Sequence, residues 1–148
     1  MTASSLAFPV AWRSRRRLPA RVEAIRDLRG SVERCAQYAG LDGDALGLFV
    51  VACVEAFTNV VRHGRGRPAG APIELLISAE RDALVVELVH AGEAFDAPQR
   101  TLPVELAHYP EGGLGLFIMQ AAADRVEHEH AGGLNTVRLT HWPAPRHA

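Results

Sequence analysis

The chain has 148 residues, the length of one domain, and 48% of them are hydrophobic, which is enough for a buried core. The formal net charge of −1 excludes a general electrostatic attraction to nucleic acid or to an anionic membrane surface. We find no apolar run long enough to span a bilayer and no apolar signal core at the N-terminus, so we expect neither a membrane protein nor an exported one. Cys35 and Cys53 lie in apolar, helix-like contexts and are expected to be reduced thiols in the cytoplasm.

The first half of the chain predicts one strand and two helices. Leu6 to Trp12 is short and apolar and is interpreted as an edge strand. Pro19 opens a helix whose apolar residues recur near every 3.6 positions as far as Ala39. The second helix is strongly apolar and runs from Asp42 or Asp44 to about His63.

A short basic run separates the predicted strand from the first helix. It contains Arg13, Arg15, Arg16 and Arg17. We interpret this run as a solvated surface turn, and a patch that docks another protein is the alternative.

The second half predicts two hairpins around a loop and a helix. The strands are Ile73–Ala79 and Leu84–His90, then Val126–His130 and Thr136–Trp142. Between the hairpins, residues 91–110 hold three prolines and are predicted to form a long loop, either a functional lid or a disordered segment, which the helix from Leu116 to about Ala123 follows. Helices that are separate from antiparallel strands predict an α+β two-layer sandwich in a single domain of residues 1–148, with residues 1–5 and 143–148 mobile at its ends.

Three polar residues mark the second helix. Glu55, Asn59 and His63 are spaced four apart and therefore share one stripe of an otherwise apolar helix. A carboxylate can accept a proton from a nucleophile, and an amide oxygen can ligand a hard cation such as Mg²⁺. The alternative is a helix end whose polar residues face solvent.

Two glycine motifs follow downstream. Residues 90–96, His-Ala-Gly-Glu-Ala-Phe-Asp, come at the end of a strand, where Gly92 permits a close backbone approach or a positive φ. Residues 111–116, Glu-Gly-Gly-Leu-Gly-Leu, precede a helix, where backbone N–H groups can point at an anion. Taken alone, the first motif favours a plain turn at the end of a strand, and the second is weak evidence for which a flexible hinge is the alternative.

Together, in this order and at these separations, the three motifs resemble the N, G1 and G2 boxes of the GHKL ATP-binding superfamily. The chain looks most like the small bacterial anti-sigma factor/serine-protein kinases of the RsbW and SpoIIAB type. The matching segments are Glu55–His63, with the pattern Glu-Ala-x-x-Asn-x-x-x-His, and Gly112–Ile118, with the pattern Gly-Gly-Leu-Gly-Leu-x-x-Ile. The likeness runs from about Leu6 to Leu139. It implies the Bergerat-type fold, with a mixed, mostly antiparallel sheet and helices on one face.

The resemblance also implies residue roles. Glu55 would be the catalytic base toward a partner serine, and Asn59 would coordinate the Mg²⁺ that bridges the ATP phosphates. Gly92 would pack close to adenine, and Thr136 would help to hold the adenine end. The remaining nucleotide-site residues implied by the motifs are His90, Phe95, Gly113, Leu114, Gly115 and Leu116.

The chain departs from the family pattern at His90, where the G1 box usually has aspartate. A neutral imidazole can accept a hydrogen bond from the adenine amino group, whereas a protonated imidazole cannot. We therefore expect weak ATP binding that weakens further below about pH 6.5.

The function implied by the resemblance is a cytoplasmic anti-sigma factor that also phosphorylates a STAS-type anti-sigma-factor antagonist on serine. It would use ATP and Mg²⁺, act as a homodimer, and contact neither nucleic acid nor membrane directly. The alternative is a partner-binding module of the same fold that sequesters a regulator without phosphoryl transfer. The ATPase domain of a sensor histidine kinase is a third interpretation, but too few residues precede the first helix to hold its phosphoacceptor helices.

Overall fold

The computed structural model describes residues 12–41, 43–80, 83–94 and 123–143, and the statements below concern those residues. The chain runs through one strand, two helices and two hairpins. In chain order these are β1 (Trp12–Leu18), a 3₁₀ turn (Val22–Ala24), α1 (Ile25–Tyr38), α2 (Asp44–His63), β2 (Ile73–Glu80), β3 (Ala83–Ala91), β4 (Arg125–Ala131) and β5 (Leu134–His141).

The five described strands form one antiparallel sheet in the order β1-β2-β3-β5-β4. Strand β3 is central, and its residues alternate between buried and half-buried positions. The buried ones are Leu84, Val86, Leu88 and His90. This alternation is typical of a sheet that is packed on one face only.

Both helices supply the core side chains that cover the sheet. Phe49 and Phe57 of α2 are fully buried, as are Leu28 and Val32 of α1. They join the inward residues of β2, β3 and β5 in one hydrophobic cluster. The α+β two-layer prediction is therefore confirmed.

The predicted first strand, Leu6 to Trp12, lies outside the described residues except for Trp12. Strand β1 begins at Trp12, so the basic run is a strand and not the predicted surface turn. Arg13, Arg15 and Arg17 pair with Ser78, Leu76 and Glu74 of β2. Arg15 and Arg17 form ion pairs with Glu74 at 2.8 and 3.7 Å. Charged side chains of this kind are common on edge strands, which they protect from unwanted pairing.

The expectation that no segment is long and apolar enough to span a bilayer is wrong for α2. This helix of 20 residues contains a window with a mean hydropathy of 1.7. Its apolar side is part of the core, with Phe49, Val50, Cys53 and Val60 all buried there. The buried core helix of a globular domain has the same length and composition as a membrane span, so the hydropathy of α2 reflects its central position.

Other boundaries differ by a few residues. Helix α1 starts at Ile25, after the 3₁₀ turn, and not at Pro19. The second hairpin closes through Gly132 and Gly133, at φ +60° and +76°, so β5 begins two residues earlier than predicted. Two glycines with positive φ are the signature of a tight type I′ turn. The helix predicted from Leu116 and the lid beyond Ala94 lie outside the described residues.

Candidate functional site

The stripe on α2 has the predicted geometry. Glu55 and Asn59 lie on the same helix one turn apart, and both are half-buried. His63 is exposed and is the last residue of α2, where a basic side chain interacts favourably with the helix dipole. Glu55 and Asn59 therefore combine a carboxylate and an amide oxygen at a partly covered position, whereas His63 is a helix-end residue.

The first two sequence motifs meet in space. Helix α2 ends at Gly64, whose N–H donates to the carbonyl of Val60 at 2.9 Å. In the loop that follows, the carbonyl of Arg65 accepts a 2.9 Å hydrogen bond from the N–H of Glu93, just after β3. A main-chain hydrogen bond thus joins the loop after the Glu55–His63 motif to Glu93 of the second motif.

Gly92 occupies the tightest point of this junction. Its φ is +140°, a conformation that side chains oppose, and a Cβ built there would lie 2.4 Å from the carbonyl oxygen of Arg65. The N–H of Gly92 donates to the carbonyl of Gly133 in the β4–β5 turn, at 3.1 Å. The glycine was predicted to allow the close approach of adenine, but in the described residues the close approach is by the chain's own backbone.

His90 is buried on the helix side of the sheet, with 2% of its surface exposed. Burial lowers the pKa of His90 to about 4, and the nearby positive charge of Arg67 acts in the same direction. A hydrogen bond with the backbone of Ala91 opposes the shift but is the weaker influence on this pKa. With a pKa of about 4 the imidazole is neutral at pH 7, and the expected pH dependence of ATP binding stays a prediction.

The cross-strand neighbour of His90 is Asn135 of β5, not Thr136. Asn135 is 2% exposed, its Nδ2 donates to the carbonyl of Glu93 at 2.9 Å, and its Oδ1 lies 3.2 Å from Nδ1 of His130. Thr136 instead pairs with Val89, so strand alternation places it on the opposite face of the sheet from His90. Asn135, and not Thr136, therefore lies beside His90 on the buried face of the sheet, and the assignment of Thr136 to the adenine end stays a prediction.

Sequence reasoning missed Asn135 and Arg67. Asn135 immediately precedes the strand predicted from Thr136, and the signal that identifies it is its position directly opposite His90. Arg67 lies in an irregular loop, where no periodic pattern indicates the direction of its side chain. Four of the predicted nucleotide contacts, Gly113, Leu114, Gly115 and Leu116, and also Phe95, lie outside the described residues.

Asn59 supplies an oxygen donor at a half-buried position of α2. No group of three His, Cys, Asp or Glu side chains within residues 12–41, 43–80, 83–94 and 123–143 converges on a metal position. Mg²⁺ is commonly held by one or two protein oxygens together with substrate phosphates and water. The half-buried amide of Asn59 is an oxygen donor of that kind.

One known protein family matches most of the chain. The profile of the family described as "Histidine kinase-like ATPase domain" matches residues 18–141, which include both helices and all but the first residues of the sheet. The chain belongs to this family. The GHKL resemblance drawn from the three motifs is thereby confirmed.

Curated relatives lie within the same family. The chain is 27% identical over 133 residues to "Serine-protein kinase RsbW" of Bacillus subtilis, covering 85% of this chain and 82% of the relative. It is 26% identical, with the same coverage, to the proteins of that name from Bacillus cereus (strain ZK / E33L) and Bacillus thuringiensis subsp. konkukian (strain 97-27). The similarity to RsbW-type proteins inferred from the motifs is confirmed at this level of identity.

A solved structure agrees on the fold. The RsbU and RsbW domains of a Mycobacterium tuberculosis protein match with a TM-score of 0.63 and 19% identity. The match covers 88% of this chain and 32% of the longer one, so the chain spans about a third of that protein. At this identity the match supports the architecture of one layer of helices on an antiparallel sheet.

Proposed function

We propose that this chain is an anti-sigma factor of the RsbW type that uses ATP and Mg²⁺ to phosphorylate a STAS-type antagonist protein on serine. The observation that carries the proposal is the pair Glu55 and Asn59. The two residues lie one turn apart, half-buried, on the helix whose following loop is hydrogen-bonded, through Arg65, to Glu93 of the glycine motif. The similarity to proteins named serine-protein kinases supports the same reaction class.

Glu55 is the proposed catalytic base. Its carboxylate accepts the proton of the serine hydroxyl as the serine oxygen becomes the nucleophile. Phosphoryl transfer needs little other covalent chemistry from the protein, so most of the rate enhancement comes from positioning and from stabilising charge. A helix buried along one side, as α2 is, provides a rigid support for such a base.

Asn59 is the proposed metal ligand. Its side-chain oxygen would hold Mg²⁺, and the Mg²⁺–ATP pair supplies an electrophilic phosphoryl group whose charge is partly neutralised. Backbone N–H groups of residues 113–116 are proposed to hold the phosphates, as glycine-rich segments before helices commonly do. Because Glu55 and Asn59 are one helical turn apart, the proposed base and the proposed metal ligand lie on the same face of α2.

His90 and Asn135 are proposed to form the nucleobase end of the site, with Gly92 shaping it. Both side chains are polar and buried on the helix side of the sheet. A neutral imidazole offers one acceptor and one donor and carries no negative charge, so ATP affinity is expected to be modest.

The proposal places the protein in the cytoplasm, acting as a homodimer that binds a sigma factor. Both cysteines of the chain, Cys35 and Cys53, are free and buried, which agrees with a reducing compartment.

The test is transfer of radiolabelled phosphate from ATP to a purified candidate antagonist protein of the STAS type, with and without Mg²⁺. Label on a serine of the antagonist, dependent on Mg²⁺, is the expected result. Binding of the antagonist with no detectable ATP binding at millimolar concentration would instead establish the partner-binding module.

A further inference from the structure

A basic groove lies between the edge strand β1 and helix α1, on the side of the sheet that the helices cover. Its cavity has a volume of about 490 Å³. The lining residues are Arg13, Ser14, Arg16, Ser31, Arg34, Cys35 and Tyr38. We call this feature the β1–α1 groove.

Three arginines line the groove, Arg13 and Arg16 of β1 and Arg34 of α1. Among the described residues, Arg13, Arg16 and Arg34 have no carboxylate within 4 Å, as is also the case for Arg125 of β4, whereas Arg15, Arg17 and Arg138 each have one. The overall charge of the chain is −1, so this local excess of positive charge is not a general property of the surface.

Arg16 is the most informative of the three. Its side chain is half-buried, and Nη1 donates a 2.8 Å hydrogen bond to Oγ of Ser31, a neutral hydroxyl that is itself buried. Partial burial of a guanidinium is unfavourable unless an opposite charge compensates for it. The hydrogen bond to Ser31 holds the guanidinium of Arg16 in place but does not neutralise its charge. No carboxylate among the described residues does so, and an acidic group that binds in the groove would.

The shape of the groove favours a polypeptide over a small anion. Within the described residues β1 pairs with β2 alone, and its other edge, which no described strand pairs with, lies along the groove. An extended segment can add to such an edge through main-chain hydrogen bonds while its side chains reach adjacent pockets. Tyr38 is 87% exposed at the rim, where an aromatic ring provides contact area of the kind enriched in protein interfaces.

We propose that the β1–α1 groove binds an extended acidic segment of a partner protein, which adds to the edge of β1 and places carboxylates against Arg13, Arg16 and Arg34. Arginine suits this role because its planar group forms bidentate hydrogen bonds with carboxylates. The groove needs no nucleotide, so the proposal stands or falls independently of the proposed kinase activity.

The test is fluorescence anisotropy with a short labelled peptide in which Glu and Thr alternate, measured on the whole chain without ATP. The variant is Arg16→Gln/Arg34→Gln. The matched control is Arg26→Gln/Arg29→Gln, which removes the same charge from exposed positions of α1 outside the groove. A peptide in which Lys replaces Glu reports on non-specific binding.

We expect the acidic peptide to bind, the groove variant to bind it about tenfold or more weakly, and the control to change affinity less than about twofold. Amide hydrogen exchange of Trp12–Leu18 should slow when the acidic peptide is present, because the new backbone hydrogen bonds protect this edge. Equal binding by both variants, or binding without protection of β1, would overturn the proposal. Loss of self-association in the groove variant without any peptide binding would also overturn it, since a second copy of this chain would then be the occupant.

Discussion

The N–H of Glu93 donates a 2.9 Å hydrogen bond to the carbonyl of Arg65, and this bond joins two motifs that lie about thirty residues apart in the sequence. Glu93 follows the strand that carries His90, and Arg65 follows the helix that carries Glu55 and Asn59. The relative position of the proposed base, the proposed metal ligand and the proposed nucleobase end therefore depends on main-chain contacts.

Substitution of Gly92 by alanine tests this junction. Because the new Cβ would lie 2.4 Å from the carbonyl oxygen of Arg65 at a φ of +140°, we expect a loss of about 1–3 kcal/mol in the free energy of unfolding, measured in urea. The control is Gly70→Ala, which has φ +80° but no atom within 4 Å of the added Cβ. Equal costs for the two variants would show that φ alone, and not the contact with Arg65, makes a glycine necessary.

The pH dependence of stability should contain a contribution from His90. Its pKa is about 4 in the folded protein and 6.5 in an ordinary environment, so the unfolded chain binds more protons between these values. The stabilisation is complete above pH 6.5 and is lost as the pH falls toward 4, with a maximum of roughly 3 kcal/mol.

The measurement that isolates this contribution is the unfolding free energy of the parent chain and of His90→Gln as a function of pH. His141 also has a pKa lowered by burial, so the parent curve alone is insufficient and the difference between the curves is the quantity of interest. A difference that is constant from pH 4 to pH 7 would contradict the buried, neutral state of His90.

Replacement of His90 by aspartate should tighten ATP binding. Aspartate offers a charged acceptor to the adenine amino group, and the nearby positive charge of Arg67 favours the ionised form. A charged hydrogen bond contributes about 1.5–3 kcal/mol, or roughly tenfold or more in affinity. Calorimetric titration with Mg²⁺–ATP measures the change, and His90→Asn serves as the neutral control. Affinity that is unchanged or lower in the aspartate variant would remove His90 from the nucleobase end.

Asn135 and Thr136 provide a test of the strand register. Asn135→Ala removes the hydrogen bond to the carbonyl of Glu93 and should cost about 1–3 kcal/mol of stability as well as ATP affinity. Thr136→Ala lies on the other face and should change stability by no more than about 0.5 kcal/mol and leave ATP affinity unchanged. The reverse ranking would mean that Thr136 and not Asn135 belongs to the site.

Sequence patterns predicted α2 well because three signals agree there. An apolar run, polar residues four apart and a glycine after the end all indicate the same helix, and its observed bounds are Asp44–His63. Strand β1 lacked such agreement, because Arg16 on its inner side is as polar as Arg15 and Arg17 on its outer side. With polar residues on both faces, the alternation that identifies a strand disappears.

The site was predictable to the extent that its residues belong to a motif. Glu55 and Asn59 follow from spacing along one helix, which local geometry determines. The choice between Asn135 and Thr136 depends on the pairing of β3 with β5, more than forty residues apart in sequence, and a shift of one residue reverses the face of a strand. Long-range register of this kind is set by the whole sheet and is absent from any local pattern.

The most direct test of the central claim separates ATP binding from phosphoryl transfer in two variants of α2. Glu55→Gln should bind Mg²⁺–ATP with nearly the parent affinity but lose phosphate transfer to the antagonist serine by about a hundredfold or more, because it lacks the base. Asn59→Ala should lose both the magnesium-dependent part of ATP binding and transfer. Transfer by Glu55→Gln at the parent rate would contradict the assignment of Glu55 as the base of a serine-protein kinase.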